Sequence, residues 1–271
     1  MKIEKSLKSI IYGLENGKRM GLVTLTSSNG STPRKNGSLM SVDENGNIVG
    51  SIGGGKIECV VIESAVKCIK CGQGKKFAYN LSENGVKMAC GGAVEGYIKI
   101  FEPKPNLIIL GGGHISQSIC KITDNMNFRR TVIEDREEFK EYDAFKNVED
   151  FRIAESIEEL GDINFNNSYI VIVTRGHKRD TYWAKELINK NHNYIGVVGS
   201  TKKIIELKQA VSEIGVSEEL LESMHAPIGL DISDGTPEEI AFSILSEILL
   251  VKNNGRLAHL QDVKMKKLQN Q

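Results

Sequence analysis

Two glycine turns, a cysteine and several cationic loops are the parts of this chain with chemistry to offer. Gly111-Gly112-Gly113-His114 follows an apolar run, Leu107–Leu110, and precedes a helix-like pattern. In that setting glycines let the backbone approach a diphosphate, and the helix N-terminus stabilises its charge. Ser116 stands where the dinucleotide fingerprint has its third glycine, and Glu134 and Asp135 end the next apolar run. Asp135 lies 24 residues after Gly111, near the offset at which an acidic side chain accepts a ribose hydroxyl. The plainer alternative is a turn that only tightens strand–helix packing.

The second turn is Gly50-Ser-Ile-Gly53-Gly54-Gly55-Lys56-Ile57. Its gap matches a phosphate-binding loop of nucleotide hydrolases, but Ile57 occupies the place of the hydroxyl that holds magnesium. That reading is excluded, and a generic anion seat at Gly53, Gly54 and Gly55 remains. Arg34, in Gly30-Ser-Thr-Pro-Arg-Lys35, sits beside hydroxyls and suits a phosphate. Cys90, in Met88-Ala-Cys-Gly91-Gly92, is uncrowded; its thiolate could ligate a soft metal or carry sulfur, unless it is a small buried hydrophobe. Cys68 and Cys71 have redox spacing without a second pair, and Cys59 and Cys120 fall in helices where core positions are expected. His177 and Asp180 follow a buried strand, at the same sheet edge as His114. His177 could move a proton or cap a helix. Asp231, in a turn-rich segment, could face the same crevice. His192 and His259 have no partner pattern.

The elements that must hold these residues alternate in character along the chain. Leu7, Ile10, Ile11 and Leu14 recur at helical spacing, so residues 4–16 form an amphipathic helix. Strand patterns follow at 21–27, 37–42 and 47–52, then a helix over 56–69 and strands over 76–81 and 93–101. Glu102-Pro-Lys-Pro-Asn106 breaks both periodicities. Beyond it strands at 107–110, 130–134, 168–174 and 194–198 alternate with helices near 114–124, 180–190 and 201–214. Thr236-Pro-Glu-Glu239 is a capping box that opens a last helix. The chain therefore reads as α/β: an N-terminal α+β domain (1–102), a linker (103–106), a Rossmann-like doubly wound parallel-sheet domain (107–252) and a tail (253–271).

Bulk composition excludes more than it selects. The 271 residues carry 35 basic and 35 acidic side chains, which gives no case for nucleic acid or an anionic membrane as partner. Apolar content of 40% is ordinary for a globular protein, and no apolar run reaches membrane length. Without a signal-like start the expected location is cytoplasmic, and five cysteines, an odd number, favour reduced thiols.

The ordered set Gly30-Ser-Thr-Pro-Arg34, Gly50–Glu58, Cys90-Gly-Gly92, Gly111-Gly-Gly-His114, Glu134-Asp-Arg136, Thr174-Arg-Gly-His177, Tyr194–Ser200, Pro227-Ile-Gly-Leu-Asp231 and Thr236-Pro-Glu-Glu-Ile-Ala241 resembles the XdhC/CoxI family. These are accessory proteins of xanthine dehydrogenase and related molybdenum hydroxylases. The resemblance runs from about residue 10 to 252. It implies a carrier rather than a catalyst: a protein that binds the molybdenum cofactor (molybdopterin, a pterin dithiolene with a phosphate) between its two modules. The carrier protects the cofactor during sulfuration, with a cysteine desulfurase as sulfur source, and delivers it to the hydroxylase. It also implies a homodimer. The candidate cofactor-binding residues are then Arg34, Gly53, Gly54, Gly55, Cys90, Gly91, Gly111, Gly113, His114, Asp135, His177 and Asp231, with Cys90 as a molybdenum ligand. Many members carry a cysteine where this chain has Lys56, which leaves Cys90 to supply the sulfur. Two alternatives stand beside this reading: an NAD(P)-dependent oxidoreductase with His114 or His177 as proton donor, and a dinucleotide sensor without turnover.

Overall fold

Alternating side chains build the first of two units. In a computed structural model, which describes residues 2–30, 36–80 and 92–262, the chain divides into Met1–Lys104 and Pro105–Gln271. The division falls inside the two-proline segment. Strands β1 (Met20–Gly30), β2 (Leu39–Val42), β3 (Ile48–Gly50), β4 (Lys75–Asn80) and β5 (Gly92–Phe101) form an antiparallel sheet in the order β3-β2-β1-β5-β4. Helices α1 (Lys2–Glu15) and α2 (Gly55–Cys71) accompany it. Met20 and Gly21 point to opposite faces by strand alternation. Met20 meets Gly13 of α1 and Gly21 meets Ile69 of α2, so the two helices cover opposite faces.

Helical spacing predicts α1 correctly but not the face it buries. The inward row is Ser6, Ile10 and Gly13, while Leu7 and Ile11 are exposed. Two contacts set that rotation: Ser6 Oγ donates to the Val49 carbonyl at 2.8 Å, and Gly13 leaves room for Met20. On the other face Ile57, Val61, Ala65 and Ile69 of α2 pack onto Val23, Leu25, Met40 and Ile98 of the strands. Gly72, in left-handed conformation, ends α2 with its N–H on the Ile69 carbonyl.

The second unit is a parallel sheet buried on both sides. Its strands are β6 (Asn106–Leu110), β7 (Arg129–Glu134), β8 (Asp150–Ile153), β9 (Ser168–Ile172) and β10 (Tyr194–Val197), in the order β10-β9-β6-β7-β8. Leu107 and Ile109 face α3 (His114–Thr123) and α7 (Pro237–Lys252), whereas Ile108 and Leu110 face α4 (His177–Leu187) and α5 (Thr201–Ser212). All four strand residues are fully buried, as a continuous apolar run in a parallel sheet requires. Strand order reverses between β6 and β9, the place where open α/β sheets bind ligands.

Several elements differ from the sequence expectation. Strand β8, short and polar at the sheet edge, is not anticipated, and neither is α6 (Glu218–Glu222). Strand β9 stops at Ile172, and α4 starts at His177 rather than near 180. The last helix begins as its capping box requires, with Thr236 Oγ1 accepting the Glu239 N–H at 3.4 Å. Thr236→Ala is expected to destabilise the second unit by about 1 kcal/mol, read by urea unfolding. No described helix is long and apolar enough to cross a membrane.

Candidate functional site

Three helices of the second unit start at one edge of its sheet. Gly113, Gly176 and Ser200 are the N-cap residues of α3, α4 and α5, and no side chain caps any of them. By contrast α6 and α7 are capped by the Ser217 and Thr236 hydroxyls. The uncapped starts border one cleft of roughly 450 Å³, lined by Gly112, Gly113, His114, Arg136, Thr174–His177, Gly199, Ser200 and Lys203 among others. Free N–H groups at helix starts favour an anion. Lys203 adds positive charge, as do Arg136 and Arg175 in so far as their pairs with Glu134 and Asp135 leave them free to, and His114 and His177 stand at the first helical positions. The acidic side chain in this lining is Asp180, and its carboxylate is already engaged: it accepts the Thr174 N–H at 3.0 Å and the Thr174 hydroxyl at 2.6 Å. Burial pushes the Asp180 carboxyl above the usual carboxylate range. It orders the Thr174–Gly176 loop rather than serving as a free base.

Backbone space explains the first turn. Gly111 has φ of +112°, and a side chain there would run into the Val173 carbonyl 2.5 Å away. Ser116, in place of the third fingerprint glycine, is fully buried, and its hydroxyl has no partner among the described residues. A small side chain fits there; its hydroxyl adds nothing that the structure uses.

The acidic pair after β7 does not wait for a ribose. The Glu134 carboxylate accepts the Gly112 N–H and the Arg136 guanidinium, with Nε at 2.8 Å. Asp135 Oδ2 lies 2.6 Å from Arg179 Nη1 and 3.6 Å from Arg175 Nη2. The Arg179 and Arg175 guanidinium groups hold its carboxyl below the usual range. The expectation of Asp135 as an open ribose acceptor is corrected accordingly: the arginines occupy it.

The glycine run of the first unit is also met internally. Gly53, Gly54 and Gly55 all have positive φ. Glu58, one helical turn into α2, accepts the Ile52 N–H at 3.0 Å, the Gly54 N–H at 3.2 Å and the Ser51 hydroxyl at 2.7 Å. The Gly53 N–H goes to Ser51 Oγ. This turn is an anion seat, as its residues suggest, but the chain's own carboxylate sits in it. The expectation of an open phosphate seat there is corrected on that ground.

Of the remaining candidates, Gly113, His114 and His177 come together in the cleft, whereas Gly111 lines a separate small void together with Asp135. Asp231 is exposed and is not part of the cleft lining. Its segment is fixed from beneath: Glu247 of α7 accepts the Gly229 N–H at 2.9 Å and the Tyr194 hydroxyl, and pairs with His225 Nδ1 at 3.2 Å. Burial raises the Tyr194 phenol, which stays protonated as a donor. Arg34, Cys90 and Gly91 lie outside the described residues. Cys59, expected in the core, is exposed, while Cys120 is buried and its thiol is pushed up to about 12 by burial. Native alkylation at pH 8 is expected to modify Cys59 and spare Cys120, with peptide mass spectrometry as readout. Sequence reasoning missed Lys203 and the roles of Glu58 and Glu134. A signal for Lys203 existed: α5 has no acid in its first turn, where α7 has Glu238 and Glu239.

Two family models match, the XdhC and CoxI family over residues 14–80 and the XdhC Rossmann domain over residues 107–248. The chain belongs to the XdhC and CoxI family. Among relatives of this chain, the uncharacterized protein YqeB of Escherichia coli is 32% identical over 240 residues, covering 86% of this chain and 43% of that protein. A probable xanthine dehydrogenase subunit of Bacillus subtilis is 27% identical over 157 residues, 56% of this chain and 44% of the relative. The chain thus spans less than half the length of either. A crystal structure described as a xanthine dehydrogenase from Bacillus halodurans superposes with a TM-score of 0.51 at 18% identity, covering 94% of this chain and 97% of that one. At that identity the likeness is one of fold. The second unit carries the XdhC Rossmann domain, and the cleft described above belongs to it.

Proposed function

We propose that this XdhC-family protein is an accessory factor of a xanthine dehydrogenase-type molybdenum hydroxylase, which binds the molybdenum cofactor, shields it during sulfuration and hands it to the enzyme. Family membership and the name of the Bacillus subtilis relative support the association with xanthine dehydrogenase. The observation that carries the binding step is the cleft where three uncapped helix starts meet Arg136, Arg175 and Lys203. Its chemistry suits the phosphate of the pterin, which is the cargo. Backbone N–H groups and cations fix that dianion, while the cleft volume leaves room for the adjoining ring system. No cluster of three or more metal-binding side chains occurs among the described residues. The phosphate end is therefore the grip that the described chain supplies, and Cys90 is the sulfur ligand in this reading. A cysteine desulfurase as sulfur donor, a second copy as dimer partner and a cytoplasmic location complete it.

Delivery is tested by transfer. Chain purified from a cofactor-producing host is mixed with cofactor-free hydroxylase, and activity is followed with time. Activation that depends on the loaded chain and saturates at about one chain per active site is the expected result. An apo-hydroxylase that stays inactive with loaded chain, yet gains activity from free cofactor, contradicts the reading.

A further inference from the structure

In dinucleotide-binding units, an acidic side chain at the end of the second strand accepts hydroxyls of the adenosine ribose. Here protein groups fill that place. Asp135 follows β7, the second strand of the unit in chain order, and Arg179 projects from the first turn of α4. Their 2.6 Å ion pair joins the two elements across the crevice, with Arg175 a further 3.6 Å partner. The Asp135 side chain is only 9% exposed. Between Gly111, Glu134, Asp135, Thr174, Arg179 and Trp183 a void of about 10 Å³ remains, close to what a single water needs. The cationic cleft of roughly 450 Å³ is a separate space, lined by Gly112 and Gly113 of the same turn.

We propose that the Asp135–Arg179 ion pair is a specificity bar: it keeps adenosine out of the second unit, so the cleft takes phosphate-bearing ring compounds that lack an adenosine half. This rests on reading the cleft as the ligand site. The physical asymmetry is clear. A ribose hydroxyl that displaced Arg179 would replace a charge-assisted bond with a neutral one and leave the guanidinium, in a narrow crevice, without its carboxylate. A 2′-phosphate could pair with the arginines, but it would face the Asp135 charge that they release. NADP(H) therefore gains no advantage over NAD(H). The bar distinguishes two ligands with the same phosphate chemistry, a pterin monophosphate and a dinucleotide, by the part of the ligand beyond the phosphate.

The test titrates the full chain with NADH and with NADPH by nicotinamide fluorescence, with AMP as competitor, for the wild type and for Arg179→Ala and Arg179→Gln. For the wild type no saturable, AMP-competed binding is expected below about 1 mM. Both variants, folded by circular dichroism, are expected to bind NADH at least about tenfold tighter, with AMP competing. Micromolar wild-type binding of either dinucleotide that AMP displaces would overturn the proposal, as would folded variants that gain nothing. Where a variant melts early, the wild-type arm alone decides. Pterin loading measured on the same preparations judges the carrier reading separately, because a chain that rejects both pterin and nucleotides fails as a carrier while its bar stands.

Discussion

Arg130→Met is expected to cost the second unit about 3 kcal/mol and to lower its melting temperature by about 6–12 °C. The Arg130 side chain is 4% exposed, at the start of β7. It donates to Asp124 Oδ1 at 2.9 Å, to Glu149 Oε2 at 3.2 Å and to the carbonyls of Cys120 and Asn147. It thereby satisfies the C-terminal end of α3, where carbonyls lack helical partners, and ties that end to the strand. Methionine fills much of the volume and returns none of these donors. The same cluster sets an acid dependence. Hydrogen bonds from Arg130 and Asn147 hold the Asp124 carboxyl below the usual range. Burial alone would raise Glu149, but the Arg130 N–H and guanidinium outweigh it and the net shift is downward. Carboxyls depressed in the folded state contribute stability above their unfolded pKa, about 4, and lose it as pH falls through the folded value. The gap between wild type and Arg130→Met is therefore full at pH 7 and shrinks below about pH 4. A gap unchanged at pH 3 would show that the carboxylates do not drive it.

Lys203→Glu is expected to weaken cargo binding about 10- to 100-fold while leaving the fold intact. Lys203 lines the cleft from the first turn of α5. Reversing its charge replaces attraction to a phosphate dianion with repulsion, worth about 1–3 kcal/mol at a water-exposed site. The same glutamate lies at a helix start with no acid of its own, where it complements the dipole by a few tenths of a kcal/mol. The lost attraction between Lys203 and Asp180 sets against that gain, so affinity should fall with little change in stability, which a general folding defect cannot imitate. Salt should weaken the wild type more steeply than the variant. Equal affinities across salt would place the anion elsewhere.

Legibility of this chain followed the range over which each signal acts. The buried strand β6 was plain because four apolar residues lie between Pro105 and Gly111, and α7 was plain because its capping box is local. Strand β8, Asp-Phe-Arg-Ile at a sheet edge, gives no apolar run to read. The glycine turn, His114 and His177 were legible as a shared sheet edge, since parallel strands present their carboxyl ends together. What occupies Asp135 was not, because Arg179 is 44 residues away. Glu58 was within reach of local reasoning, one turn beyond its glycine run. Composition does not say whether such a turn binds an outside anion or its own carboxylate.

Carriage of the pterin is most directly checked by counting it. The full chain, purified from cells that make the molybdenum cofactor, is acid-treated and oxidised, and the released fluorescent pterin is measured against protein. About one pterin per chain, falling several-fold with Lys203→Glu, is the predicted result. Pterin at background in the wild type, with none taken up when cofactor is supplied in vitro, would contradict it.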